Sequence, residues 1–314
     1  MVFEFLSAGL PQILQNAGAN FVFYDMEHSG FSMDEMKTQL ALCRGLDIVP
    51  LVRPPDTTYQ YTARLLDLGA MGMLFQMCET AEQAEEFVRW TKYPPEGRRG
   101  AMFGGAHDDY SSLTVPEIID GAHDRTMVCV LIESAKGVAN AEEIMAVPGV
   151  DVAHLGHGDL SLSLELPGQT DHPDMVAGID KILAACENNG KAAACLAGSV
   201  EIGQDWIRRG FRMVSYSYDI GLMTSALTAG IDQHQLSRLK EAVAFLRHPV
   251  VDDGAVRSGP RDRIEGDVRQ GYARRLAGRG PERLETLGGG NLVEILRTRC
   301  GLDDDLEAEG PRPA

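Results

Sequence analysis

The sequence predicts an α/β fold, a (β/α)8 or TIM barrel with a C-terminal extension outside it. Three observations carry this. Eight short apolar, β-rich runs recur between residues 2 and 217, amphipathic stretches of helical period separate most of them, and polar residues gather where several runs end. Alternating strands and helices imply crossover units and a parallel sheet, and eight strands at this spacing imply a closed barrel rather than an open doubly wound sheet.

The expected strands, in order, are 2–5, 21–25, 48–53, 72–76, 127–133, 152–156, 191–196 and 213–217. Each is a short apolar run dominated by residues that suit a buried pleated surface. The amphipathic stretches 33–43, 81–90, 139–145, 175–188 and 200–209 read as helices between them. Two regions break the rhythm. Segment 92–109 (KYPPEGRRGAMFGGAHDD) is long, charged and rich in Gly and Pro; it falls in a connection between strands, where barrels keep lids and substrate-contacting loops. The tail 249–314 is rich in Arg, Gly and Asp, with one short helix expected near 291–299 and an acidic end. The expected division is therefore a barrel domain over 1–248 and an extension over 249–314, partly disordered or used in subunit contacts. No internal repeat is visible.

A chain of 314 residues with 44% hydrophobic content suits one barrel with a sizeable core. With 29 basic against 46 acidic residues the formal charge is −17, a balance that repels phosphate backbones and anionic membrane surfaces and argues against nucleic-acid or membrane partners. The six cysteines form no C-x-x-C pair, and several sit in apolar runs, so they read as buried free thiols in a reducing cytoplasm. The first residues have no basic stretch ahead of an apolar one, unlike a secretory signal, and no apolar run approaches the roughly 20 residues needed to span a bilayer.

The chemistry-bearing residues lie at strand ends. Asp25-Met-Glu27-His28 follows the second run, Arg53 ends the third, Glu133 ends the fifth, and Gly156-His-Gly-Asp159 follows the sixth. A barrel converges such positions on one mouth. Glu133 and Asp159 read either as helix-capping and loop acids or as a carboxylate pair for a hard divalent cation; zinc suits them less, because no nearby His/Cys set has tetrahedral spacing. Arg53 is either one half of a structural ion pair or a planar fork for a carboxylate or developing enolate oxygen. His28 has the titration range of a proton shuttle, with Asp67 a candidate to orient it; alone, such a His is more often structural. His157 and His107 rank below it as surface residues. The glycines around His157 allow a tight turn whose amides would meet an anion.

This pattern resembles the class II pyruvate aldolases of the HpcH/HpaI family, including the 2,4-dihydroxyhept-2-ene-1,7-dioate aldolases. The matching segments are Phe21-Val-Phe-Tyr-Asp-Met-Glu-His-Ser29, Val52-Arg-Pro54, Leu65-Leu-Asp-Leu-Gly69, Tyr93-Pro-Pro-Glu-Gly-Arg-Arg-Gly100, Leu131-Ile-Glu-Ser134 and Leu155-Gly-His-Gly-Asp-Leu-Ser161, in order over roughly residues 1–230. The resemblance implies that Glu133 and Asp159 hold Mg2+, Mn2+ or Co2+, which engages the keto oxygen and carboxylate of a pyruvate moiety. It implies that Arg53 stabilises the enolate, that His28 with Asp67 is the acid/base, and that amides around Gly158 and Asp159 hold the pyruvate carboxylate. It further implies a homo-oligomer, commonly a hexamer, with Asp25 and Glu27 near a neighbouring subunit. This sequence departs from the family at Leu131, where a Gln is usual, at His157-Gly158, where Pro-Ala is usual, and at Gln76, where a proline usually ends the strand.

The expected reaction is reversible cleavage of a 4-hydroxy-2-keto acid to pyruvate, or a similar 2-keto acid, and an aldehyde through a metal-stabilised enolate. No lysine stands at a strand end to form an imine, which favours the metal route. Two other readings stay open on sequence: a malyl- or citramalyl-thioester lyase with the same acids, and a silent barrel that binds a keto acid. A nicotinamide oxidoreductase is excluded, since no G-x-G-x-x-G follows a first strand.

Overall fold

A computed structural model describes residues 1–247, with side chains described through residue 234. Residues Met1–Glu241 form one compact unit; the second, Ala242–Ala314, is described only through the end of the last helix. The tail expectations, including the helix near 291–299, lie outside the described residues.

Seven parallel strands, β1 (Phe21–Asp25), β2 (Val49–Arg53), β3 (Gly72–Phe75), β4 (Met127–Ile132), β5 (Val152–Leu155), β6 (Ala192–Ala197) and β7 (Met213–Tyr216), pair strictly in sequence order. This curled parallel sheet is what right-handed strand–helix crossovers build when each strand is laid beside the last. Helix α1 (Leu10–Asn16) precedes β1. Helices α2 (Met33–Cys43), α3 (Tyr59–Asp67), α4 (Ala81–Thr91), α5 (Val115–Arg125), the short α6 (Ala135–Ala139), α7 (Ala141–Ala146), α8 (His157–Ser163), α9 (Pro173–Asn188) and α10 (Val200–Arg209) connect the strands, and α11 (Asp219–Arg247), largely exposed through residue 234, follows β7. Local chemistry fixes several starts. Ser32 with Glu35 and Thr80 with Gln83 form reciprocal capping boxes that satisfy the first amides of α2 and α4.

Because side chains alternate across a strand, two apolar layers result. Tyr24, Val52, Met73, Val130, Ala153 and Cys195 face the helices. Phe23, Leu51, Leu74, Leu131, Val152 and Ala194 fill the opposite, concave side. His154 lies on that concave side too, two residues after Val152 and edge-on to Phe23. Five cysteines, Cys43, Cys78, Cys129, Cys186 and Cys195, are buried free thiols. Among the described residues, no helix is long and apolar enough to cross a membrane.

The expected strand 2–5 is not formed. Val2 alone bridges Tyr24, exchanging backbone bonds with Phe23 and Asp25. The amides of Phe3, Glu4 and Phe5 instead converge on the Asp219 carboxylate at 2.8–3.2 Å, so they cannot extend a ladder. Met1 touches the other edge of the sheet, since its amino group donates to the Ser217 carbonyl at 3.1 Å.

Segment 92–109 also differs from expectation. It leaves the C-terminal end of α4, not of a strand, and α4 has already carried the chain back to the sheet edge where strands begin. There Arg99 pairs with Asp67 at the end of α3. In this chain the segment is no lid over the strand C-termini.

Candidate active site

One step beyond the concave apolar layer, the same alternation exposes a row of polar side chains. Asp25, Arg53, Gln76 and Glu133 each stand two residues after Phe23, Leu51, Leu74 and Leu131, at the C-terminal edge of β1 to β4. All four are buried. The period of two that packs the interior therefore also delivers the site.

Arg53 organises this row. Its Nε donates to Asp25 Oδ2 at 2.7 Å, and Nη2 donates to the same oxygen. Its Nη1 lies 2.7 Å from Glu27 Oε2. Asp25 Oδ1 accepts the amides of Glu27 and His28, both at 2.9 Å, which fixes the turn after β1. His28 projects from that turn with its side chain 58% exposed and Nε2 3.7 Å from Glu27 Oε2. Asp25 and Glu27, implied to lie near a neighbouring subunit, are thus the acids that hold the arginine within this chain.

Glu133 is 5% exposed, and its Oε1 accepts the Met77 amide at 2.8 Å. Met77 adopts φ 53°, a left-handed conformation unusual for a side-chain-bearing residue. The other face of Glu133 packs on Gly156: a Cβ there would stand 2.5 Å from Glu133 Cβ and 2.7 Å from Oε2. Glycine at 156 is required for this close approach. Burial pushes the Glu133 carboxyl up from 4.5 to about 7; the charges of Asp159 and Glu27 push it the same way, while the Met77 amide and Arg53 oppose them. Asp159, in the first turn of α8, is exposed at the same rim. His157 beside it is held below its usual range by burial, which Asp159 partly offsets.

The donor set suits a hard divalent ion. Glu133 and Asp159 offer only carboxylate oxygens, and they are close enough for one charge to raise the other's proton affinity, a cost that a bound cation removes. Among the described residues, no group of three or more His, Cys, Asp or Glu forms a ligand cluster. Two carboxylates leave the remaining positions to water and substrate oxygens.

A pH effect follows. Without an ion, folded Glu133 keeps a proton between pH 4.5 and about 7 that the unfolded chain has released. Its contribution to stability therefore falls as pH rises through that window. Chelator-treated wild type is expected to lose melting temperature between pH 5 and pH 8 relative to Glu133→Gln; equal slopes would contradict the buried ionisation.

Not all expected partners meet. Asp67 binds Arg99 Nη2 at 2.7 Å and makes no hydrogen bond or ion pair with His28. Arg98 pairs with Glu86. His107 is buried in the 3-10 turn Ala106–Asp108, remote in sequence from every strand end. Conversely, sequence reading missed the Met77 amide and the packing role of Gly156. Met77 carries no side-chain signal for its backbone twist, whereas Gly156 is visible at a strand end but reads from sequence as part of a tight, anion-facing turn rather than as a packing surface for Glu133.

The family described as HpcH/HpaI aldolase/citrate lyase matches residues 5–226. The chain belongs to this family. It is 36% identical to a hydroxypyruvate/pyruvate aldolase of Roseobacter denitrificans over 219 residues, covering 68% of this chain and 82% of that protein. It is 30% identical to a 4-hydroxy-2-oxo-heptane-1,7-dioate aldolase of Escherichia coli over 239 residues, covering 71% and 90%. The crystal structure of an HpcH/HpaI aldolase from Desulfitobacterium hafniense superposes with TM-score 0.71 at 27% identity, covering 74% of this chain and 91% of that one. Within this HpcH/HpaI chain, Leu131 is a wall of the concave apolar layer, 3% exposed directly beneath Glu133.

Proposed function

We propose that this chain is a divalent-metal-dependent aldolase that reversibly cleaves a 4-hydroxy-2-keto acid into pyruvate, or a pyruvate-like 2-keto acid, and an aldehyde. The observation that carries this is the Glu133 carboxylate at the C-terminal edge of the sheet, its proton affinity raised first by burial and then by the charge of Asp159, and lowered by the Met77 amide and Arg53. The names of the aldolase relatives support the keto-acid half of the substrate.

Glu133 and Asp159 would hold Mg2+, Mn2+ or Co2+, which supplies a Lewis acid for the keto oxygen. Arg53, already fixed by Asp25 and Glu27, offsets the negative charge that develops as the enolate forms. Amides of the first turn of α8, around Gly158 and Asp159, lack intrahelical partners and are available to the substrate carboxylate. His28 accepts the C4-hydroxyl proton as the C3–C4 bond breaks and returns a proton to the enolate carbon. Its acidic neighbour within one chain is Glu27; pairing with Asp67 requires a contact that the single chain does not make. We further propose that residues at the N-terminus complete a (β/α)8 barrel by bridging β1 and the end of β7, and that the protein assembles as a homo-oligomer.

A lactate-dehydrogenase-coupled assay on a 4-hydroxy-2-keto acid tests the reading. Pyruvate release is expected with Mn2+ and is expected to stop in EDTA. Tight pyruvate binding without turnover would instead identify a silent barrel.

A further inference from the structure

We propose that a cavity at the opposite edge of the sheet, where the strands begin, binds a small multiply charged oxyanion of phosphate size. The cavity has a volume of about 160 Å3 and is lined by Arg44, Arg99, His107, Arg125 and Asp109, together with backbone and apolar groups at the starts of β2 to β4. Three guanidinium groups thus face one carboxylate, and Asp109 is 71% exposed at its side chain.

The cations are incompletely used. Arg99, 2% exposed, spends Nη2 on Asp67 and stacks over the Tyr93 ring at 4.8 Å, while its Nε has no acceptor. Arg44 lies over Tyr110 at 4.9 Å, its Nε also without a hydrogen-bond acceptor and 3.8 Å from Asp109. Buried His107 has Nδ1 unpartnered, its Nε2 facing Tyr93 Oη at 3.4 Å and Asp108 at 3.7 Å. Arg125 donates to the His107 carbonyl. Asp108 stands behind this lining; one of its oxygens takes the Gly104 amide at 2.6 Å and the other has no partner.

Buried donors without acceptors are rare in folded proteins, and here two arginines that line one cavity each carry such a donor, beside a histidine with an unpartnered ring nitrogen. Guanidinium forks match the oxygens of phosphate or a carboxylate, and the volume is that of roughly five waters, enough for such an ion with part of its hydration. Arg44 caps α2, Arg99 and His107 belong to segment 92–109, and Arg125 ends α5. A bound oxyanion therefore cross-links three separate stretches of chain. The nearest cavity residue on β2, Pro50, is three residues from Arg53, roughly 10 Å along the strand, so the ligand acts without touching the site at the other edge.

Hydrogen exchange on the full chain, with inorganic phosphate or pyruvate added separately against chloride at equal ionic strength, tests this. Slower exchange over 43–46 and 99–110 is expected with phosphate; protection by pyruvate and not by phosphate would overturn a multiply charged oxyanion as the ligand. Calorimetry with phosphate should show at least tenfold weaker binding for Arg44→Gln and unchanged binding for Glu133→Gln. No protection with either anion, or binding that survives Arg44→Gln but is lost in Glu133→Gln, overturns the proposal.

Discussion

Glu133→Ala and Asp159→Ala are each expected to abolish measurable pyruvate release and to weaken Mn2+ binding by more than about 100-fold. The magnitude follows from a comparison: groups that merely support the ligands of a bound ion are worth about 10- to 100-fold in affinity or activity, and these residues would be the ligands themselves. The two variants should differ in stability. Asp159 is exposed in the first turn of α8, so its loss should change folding by only about 0.5 kcal/mol. Glu133 is buried with its ionisation disfavoured, so Glu133→Gln at pH 8 should melt no lower than wild type even though it is inactive. Mn2+ titration followed by electron paramagnetic resonance, run beside thermal melting, reads both. Full activity in EDTA for either alanine variant would remove the metal assignment.

Arg53 is expected to produce the second-largest effect, and a mixed one. Arg53→Leu strands the fully buried Asp25 carboxylate, and breaking a buried pair from one side costs about 3–5 kcal/mol. It also removes the charge facing the enolate, for a loss of about 10²–10³-fold in kcat. Pairing it with Asp25→Asn separates the two roles. The double variant should recover much of the melting temperature and none of the rate, because only the stability loss comes from the orphaned acid. Recovery of kcat/KM together with stability would make Arg53 purely structural.

Much of this was legible in the sequence because two periodicities coincide. The alternation that marks β1 to β4 as buried strands also places Asp25, Arg53, Gln76 and Glu133 on one face, so reading the strands correctly gives the row of site residues. Interactions between distant residues were not legible. Residues 2–5 look like a strand, but Asp219, more than 200 positions away, captures three of their amides. Asp67 looked like a partner for His28 because both match the family pattern, yet within the chain the end of α3 faces Arg99. Segment 92–109 was placed at the wrong edge of the sheet for a simpler reason. It follows a helix, and in a parallel sheet connections after helices return to the edge where strands begin. His154 illustrates the limit most clearly: its parity puts it inside the concave layer, but only coordinates show that neither ring nitrogen has a partner, with burial lowering its pKa to about 3.

The central claim is that two acids 26 positions apart serve one ion. A crystal grown with Mn2+ and pyruvate, measured at the manganese absorption edge, addresses it directly. An anomalous peak bonded to oxygens of both Glu133 and Asp159, with pyruvate between that peak and Arg53, is the result expected. Manganese bound elsewhere in a crystal that still turns over substrate, with these two carboxylates unengaged, would contradict it.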